Sequence, residues 1–258
     1  MQFKKGCFEG LSFSEYQSIR AWRSHDLMTL SKCAYTWQNQ KEMQETPALL
    51  EGRVQHTVFL EHDKFFEEFA IQPDVDRRTK AGKAEYALWL EDLGDKTAIK
   101  QDMYDACMER RKVVEDFVPG ADDQVELTVC FEWHGHPCKA RFDWYTGEDV
   151  WDLKTCRDAS PRGFKGAINS FRYFQQAAFY LTAARSLGMT ANGFWFLAQE
   201  KMHPYPFSVY TLSDEAIEYG NIKNEQALAL GIDVANGAIA RPFNQTDDWI
   251  EIGANELY

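Results

Sequence analysis

QVELTVCFEWHGHPCKARFDWYTGEDVWDLKT, residues 124–155, decides the fold. In its first part Val125, Leu127, Val129, Phe131 and Trp133 alternate with Glu126, Thr128 and Glu132, which puts the apolar set on one face of a strand. His134-Gly135-His136-Pro137 turns the chain, and Ala140, Phe142 and Trp144 then alternate with Lys139, Arg141 and Asp143. A second turn at Thr146-Gly147-Glu148 leads into a third strand. There Val150, Asp152 and Lys154 share one face, and Trp151 and Leu153 take the other. Three neighbouring strands therefore bring Glu126, Asp143, Asp152 and Lys154 close together.

Such a convergence is costly unless something compensates it. Carboxylates at the edge of a core repel each other and resist desolvation. A hard divalent cation, Mg²⁺ or Mn²⁺, takes oxygen ligands and turns the repulsion into attraction. Lys154, two residues beyond Asp152 on the same face, points at the same place. It could hold a water or hydroxide there, or offset charge developing on a phosphate. A surface ion pair between Asp152 and Lys154 would account for the spacing equally well, at roughly 0–1 kcal/mol and with no function.

Before this stretch the apolar period is helical. Residues 12–45 read as largely helical, and Thr46-Pro47 opens a second helix from Ala48 to Phe69. Residues 74–83 are charged and turn-like, and a third helical stretch over 81–117 stops at Val118-Pro119-Gly120. Residues 1–118 are thus expected to be mainly helical and 119–258 to carry the sheet, within one α/β unit spanning 1–258. After the strands, Asn169 or Ser170 caps a helix through FRYFQQAAFYLTAARSL that ends at Gly188. Tyr173, Gln176 and Tyr180 lie on one face of it beside Ala177 and Ala184, which suits close packing on the sheet.

A chain of 258 residues has ample material for a core. Its net charge of −12 argues, as a sum, against a nucleic-acid partner. The distribution argues differently: Lys139, Arg141, Lys154, Arg157, Arg162, Lys165 and Arg172 make 139–172 the locally basic part of an acidic chain, although a solvated surface would do the same. The six cysteines are scattered without a C-x-x-C pair and are expected to be reduced thiols. Cys130, His134, His136 and Cys138 come nearest to a zinc set, but their spacing matches no usual ligand pattern. No apolar run reaches the roughly 18–20 residues of a membrane span, and MQFKKGCFEG has no apolar signal region. A cytoplasmic protein with no membrane partner is expected.

Asp143, then Asp152-Leu153-Lys154, then Gln176-x-x-x-Tyr180 resembles the PD-(D/E)XK nuclease superfamily, in the branch with RecB-type nuclease domains and the RecE (exonuclease VIII) catalytic domain. That branch carries an upstream Gly-x-x-x-His helix, supplied here by Gly52 and His56 in LLEGRVQHTVFLE, and SHDLMTLSKCAYTW resembles the helical motif that precedes it. The resemblance runs from residue 14 to 200. Each motif alone is weak, and five in the expected order are specific. Asp152 stands where many relatives have Glu, and Phe142-Asp143 replaces Pro-Asp.

The resemblance implies a restriction-endonuclease-like core, a central mixed β-sheet flanked by helices. It implies metal ligation by His56, Asp143, Asp152 and the Leu153 carbonyl, Lys154 as the motif lysine, and Glu126 as the acid of the first core strand. Gln176 and Tyr180, with Tyr173 on the same face, would position DNA, and Arg157, Arg162, Lys165 and Arg172 would hold its phosphates. No cysteine follows Cys156, so the iron–sulphur centre of some relatives is not expected. The implied activity is Mg²⁺-dependent degradation of linear duplex DNA from an end, 5′ to 3′, with Mn²⁺ as substitute. It would leave single strands for recombination, as in phage systems, with a single-strand annealing protein as partner and a ring-shaped trimer or tetramer as assembly. Alternatives are a PD-(D/E)XK nuclease of another kind, cutting single strands or internally, and a non-catalytic DNA-end scaffold.

Overall fold

The computed structural model describes residues 2–41 and 45–242, so the expected unit over 1–258 extends beyond them at 243–258. The first half supplies β1 (Gly6–Phe8), α1 (Phe13–Ser18), α2 (Ser24–Lys32), α3 (Ala34–Gln38) and α4 (Pro47–Leu60). It continues with α5 (Phe65–Glu68), β2 (Phe69–Ile71), α6 (Lys80–Leu93), β3 (Thr97–Ile99) and α7 (Gln101–Val113). The second half holds β4 (Gln124–Trp133), β5 (His136–Tyr145), β6 (Val150–Cys156), α8 (Pro161–Phe171), α9 (Tyr173–Ser186), β7 (Phe194–Glu200), β8 (Phe207–Thr211) and α10 (Asp214–Ala235).

The three long helices expected upstream are each interrupted. Ser12 opens α1 with a capping box against Glu15, but α1 stops after Ser18, so the described residues of 12–45 hold three short helices. Thr46 caps α4 with Pro47 in its first turn, as its sequence signals, yet α4 ends at Leu60. Phe65 and Phe69 then turn inward onto Val54, Val58, Ile99 and Cys107, and burying them outweighs continuing the helix. The third stretch breaks at Gly94, whose φ of 56° suits glycine, and returns as β3 parallel to β2. Downstream, the helix expected from Asn169 or Ser170 begins only at Tyr173. Ser160 and Pro161 instead open the separate α8, which ends where Arg172 adopts a left-handed conformation.

Among the described residues the main sheet has six strands in the order β1-β4-β5-β6-β7-β8 and is mixed, because β6 and β7 pair in parallel while the other pairs are antiparallel. His134 and Gly135, with φ of 49° and 78°, form the two-residue turn between β4 and β5. Leu127, Val129, Phe131, Ala140, Phe142, Phe194 and Phe196 enter the main core with α9 residues such as Ala177, Phe179 and Ala184. On the other face Phe59 and Leu60 of α4 pack with Trp144, Leu153 and Leu197.

Two side chains depart from the expected alternation. Val125 and Trp144 were expected to share a face with Leu127 and Phe142, but they pack in the α4 cluster instead. The cause lies between them and those partners: Glu126 has a φ of 49°, and the β4–β5 ladder pairs Val125 with Trp144 and Leu127 with Phe142 but leaves Glu126 and Asp143 unpaired. Local distortion there reverses which side the following residues face. Among the described residues no helix is long and apolar enough to cross a membrane.

Gly220 of α10 marks a close contact between α10 and α9, since a Cβ there would lie 2.5 Å from the Phe174 carbonyl oxygen and 2.7 Å from the Ala178 Cβ. Gly220→Ala is expected to cost about 1–3 kcal/mol in urea unfolding. Gly166→Ala, in α8 with nothing within 4 Å of the added carbon, is expected to gain roughly 0.5–1 kcal/mol.

Candidate active site

The site forms where the sheet comes apart. β5 and β6 pair only through Trp144↔Trp151 and Tyr145↔Val150; one step further, at Asp143 and Asp152, the strands separate. Leu153 then has its amide and carbonyl facing a gap, and an unpaired buried backbone group costs as much as a lost hydrogen bond. Side chains fill both positions. The Leu153 N–H donates to Asp143 Oδ2 at 2.7 Å, and the Leu153 carbonyl meets His56 Nε2 of α4 at 3.1 Å.

The second contact sets the histidine's tautomer. A carbonyl can only accept, so in the neutral ring Nε2 carries the hydrogen and the Nδ1 lone pair is left facing Asp143 Oδ2, 3.6 Å away. A metal-binding imidazole takes this form, its other nitrogen held by a backbone oxygen. Glu126 completes the group: His56, Glu126 and Asp143 each offer a ligand atom, all within 4.8 Å of one another. The left-handed backbone at Glu126 is the distortion that disrupts the ladder beside Asp143.

Asp152 lies across the gap, 1 % exposed. Its Oδ1 accepts from Gln176 Nε2 of α9 at 2.6 Å and its Oδ2 pairs with Lys154. The Lys154 ammonium also sits 4.8 Å above the Tyr173 ring. The Asp152–Lys154 pair is therefore not the solvated surface pair that its spacing also permits. Burial pushes the Asp143 carboxyl up to about 7, and the Asp152 charge pushes the same way against the pull of His56 and Lys154. Burial alone would lower the Lys154 ammonium, but Asp152 and Asp143 hold it above its ordinary value.

This donor set fits a hard divalent cation. Two carboxylates and a correctly poised imidazole converge, and the Asp143 charge is opposed by its own surroundings until positive charge arrives. Of the residues expected as ligands, His56 and Asp143 are in the group; Asp152 is held by Gln176 and Lys154, and the Leu153 carbonyl by His56. Glu126 offers the third of the converging ligand atoms.

The other expected residues divide. Gln176 is buried and acts on Asp152. Tyr180 packs 5.2 Å from Phe142 and borders the same cavity of about 370 Å³ as His56, Glu126 and Asp143. Arg157, Arg162 and Lys165 are exposed on and before α8. The Arg172 guanidinium runs to the Ser31 carbonyl at 3.2 Å, the end of α2, rather than toward the acids. Of Cys130, His134, His136 and Cys138, His134 pairs with Glu225, while Cys138 enters the main core.

Sequence reasoning missed the far wall of the cavity. It consists of Phe13 and Tyr16 of α1, Arg53 of α4 and Arg141 of β5, the last paired with Glu126. Strand period was the available signal for Arg141, two residues before Asp143; nothing local marks Phe13 or Tyr16.

Over residues 12–241 the chain matches the sequence family described as a PDDEXK-like domain of unknown function, DUF3799. No curated protein matches it. Among solved structures it is similar to a Eubacterium rectale protein provisionally described as an exonuclease, with 14% identity and a TM-score of 0.63 over 97% of this chain and 98% of that one. A second structure, SSO0001, has 13% identity and a TM-score of 0.32 over 77% of this chain and 91% of that one, which is too remote to carry an argument. The first likeness shows a shared fold, the one expected for a mixed sheet flanked by helices. The match covers nearly all the described residues, and the chain belongs to the DUF3799 family of PDDEXK-like domains, and through it to the PD-(D/E)XK nuclease superfamily.

Proposed function

We propose that this chain is a divalent-metal-dependent exodeoxyribonuclease that hydrolyses linear duplex DNA from an end, 5′ to 3′, using Mg²⁺ and accepting Mn²⁺. The observation that carries the reading is the facing of two groups across one split in the sheet: His56, Glu126 and Asp143 on one side, Asp152 and Lys154 on the other. The exonuclease description of the Eubacterium rectale protein supports the end-directed form of the reading. Cytoplasmic location, a ring-shaped trimer or tetramer, and delivery of single strands to an annealing partner for recombination belong to the same proposal.

When bound, the cation supplies positive charge to the scissile phosphate and makes the attacking water more acidic. The chain's own residues do the rest. Lys154 keeps its proton, because Asp152 and Asp143 favour the ammonium, so it acts as a fixed charge and donor toward the phosphate or the water. Asp152 aims it, Gln176 fixes Asp152, and Tyr173 limits the ammonium's movement from the other side. Tyr180 borders the cavity and Arg157, Arg162 and Lys165 are exposed, which suits contacts with the DNA backbone. Arg172 would join them only by releasing Ser31.

Three tests follow from this reading. End-labelled linear duplex with a 5′ phosphate should be degraded in Mg²⁺ and spared in EDTA, while a closed circular duplex survives; equal cutting of the circle would replace the exonuclease by an endonuclease. Asp152→Asn and Lys154→Ala should each lower hydrolysis by at least about 10²-fold while gel-shift binding of the duplex persists. The third test uses proton linkage. Folded Asp143 holds its proton up to about 7, whereas an ordinary carboxyl loses it near 3.8, so this group's contribution to stability is complete below 3.8 and is lost as pH rises through about 7. A cation requires the carboxylate. Mg²⁺ should therefore raise the Tm more at about pH 8 than at about pH 5.5, and an equal rise at both would remove Asp143 from its ligands.

A further inference from the structure

Lys139 of β5 is 2 % exposed, although lysine is among the residues least often fully buried. Its ammonium donates to three main-chain carbonyls rather than to an acid: Tyr16 at 2.6 Å, Gln17 at 3.2 Å and Ile19 at 2.6 Å. These oxygens lie in the last turn of α1 and just after it, where the helix ladder runs out, although the Tyr16 oxygen also accepts the Ile19 N–H at 3.3 Å. The same ammonium stands 4.5 Å from the centre of the Tyr16 ring. Its own amide donates to the Trp22 carbonyl at 2.8 Å, and Trp22 in turn donates to Pro137 at 2.9 Å. The chain from Tyr16 to Trp22 is thus wrapped around a single lysine.

The next residue on that face of the strand is Arg141. It donates to the Leu11 carbonyl at 3.1 Å just before α1, lies 5.9 Å from the Tyr16 ring, and pairs with Glu126. Asp143 comes next. Two consecutive cations therefore hold α1 against β5, one at each end, and the second also holds a carboxylate of the candidate cation site. Tyr16 lies between them and lines the cavity.

We propose that Lys139 is a positioning residue: its buried ammonium holds α1, and through Tyr16 and Arg141 it sets the orientation of Glu126 toward the cation site. A buried ammonium without partners is expensive, so the three carbonyls and Lys139 hold one another in place. With the charge removed, the carbonyls seek water, α1 shifts, and Arg141 loses both Leu11 and the Tyr16 ring. Glu126 then meets the cation in a looser geometry. The inference rests on the proposed metal-dependent reading, but it concerns cation affinity and can be read without hydrolysis.

The test measures Mn²⁺ affinity by calorimetry on the full chain, with hydrolysis recorded separately. Lys139→Met keeps the buried volume and removes the charge; it should remain folded and bind Mn²⁺ about tenfold more weakly or worse, as losses of supporting contacts around metal sites do. Lys139→Ala lacks the three outer carbons and the nitrogen, so propylammonium should restore affinity with saturation, whereas tetramethylammonium, which has no hydrogen to donate, should not. If Lys139→Ala fails to fold, Lys139→Met alone decides. Unchanged affinity in Lys139→Met overturns the proposal, as does equal recovery with both ammonium ions or a wild-type chain that binds no Mn²⁺. A wild-type chain that binds Mn²⁺ but cuts no DNA overturns the exonuclease reading and leaves the Lys139 comparison to be decided by affinity.

Discussion

The separation of β5 from β6 after the Trp144–Trp151 pair is the constraint on which the site depends. A continuous ladder would have satisfied Leu153 with backbone groups and left no room for side chains. The parted strands require partners for one amide and one carbonyl, and the chain supplies Asp143 and His56. Both are thereby fixed by main-chain geometry. The hydrogen bond from Leu153 stabilises a carboxylate in a place where burial opposes its charge, and the contact from His56 selects the tautomer that leaves Nδ1 available.

Charge is balanced unevenly across the gap. On one side Asp152 has a countercharge beside it: Oδ1 accepts a hydrogen bond from Gln176 and Oδ2 is paired with the Lys154 ammonium. Removing Lys154 would leave a buried charge without compensation, which costs more than the intact pair contributes, and removing Gln176 would leave Oδ1 without its donor. On the other side Asp143 has a backbone donor and the His56 ring, and Glu126 shares its charge with Arg141. The shortage of positive charge falls on the side where three ligand atoms converge. A divalent ion is a better answer there than another lysine, since it can accept several donors at once within a small volume.

Much of this was legible in the strands. Alternation placed Asp152 and Lys154 on one face opposite Trp151 and Leu153, and the structure has them so. It failed at Val125 and Trp144 because period two assumes an undistorted backbone, and the left-handed Glu126 breaks it at the site itself. Helices were less legible in their bounds. Ser160-Pro161 was a readable start signal, whereas Asn169 and Ser170 are only the last turn of α8. The breaks at α1 and α4 depend on residues distant in sequence: Lys139 takes the carbonyls of Tyr16 and Ile19 at the end of α1, and Phe65 and Phe69 pack into a core shared with Ile99. Such long-range contacts leave no mark in a local window, which is also why Phe13 and Tyr16 were not foreseen as part of the cavity.

A gap between strands is useful only if its width is fixed, and the acids that face it would widen it by repulsion. Two features oppose them. Just below the split, Trp144, Trp151 and Trp195 stack across β5, β6 and β7 at 5.2 and 5.6 Å with interplanar angles of 18° and 20°. These residues are directly paired in the sheet, and each such contact contributes about 0.5–1.5 kcal/mol beyond the area it buries. Further along β5, the freed edge is taken by Trp22, whose amide and carbonyl bond to Pro137 and Lys139. The strands are thus tied on one side of Asp143 by a ladder of indoles, and on the other the open edge is closed by the chain that Lys139 holds. Asp143 lies between two fixed points, so its carboxylate can be buried, poorly compensated and still held in one position, as a preorganised metal site requires.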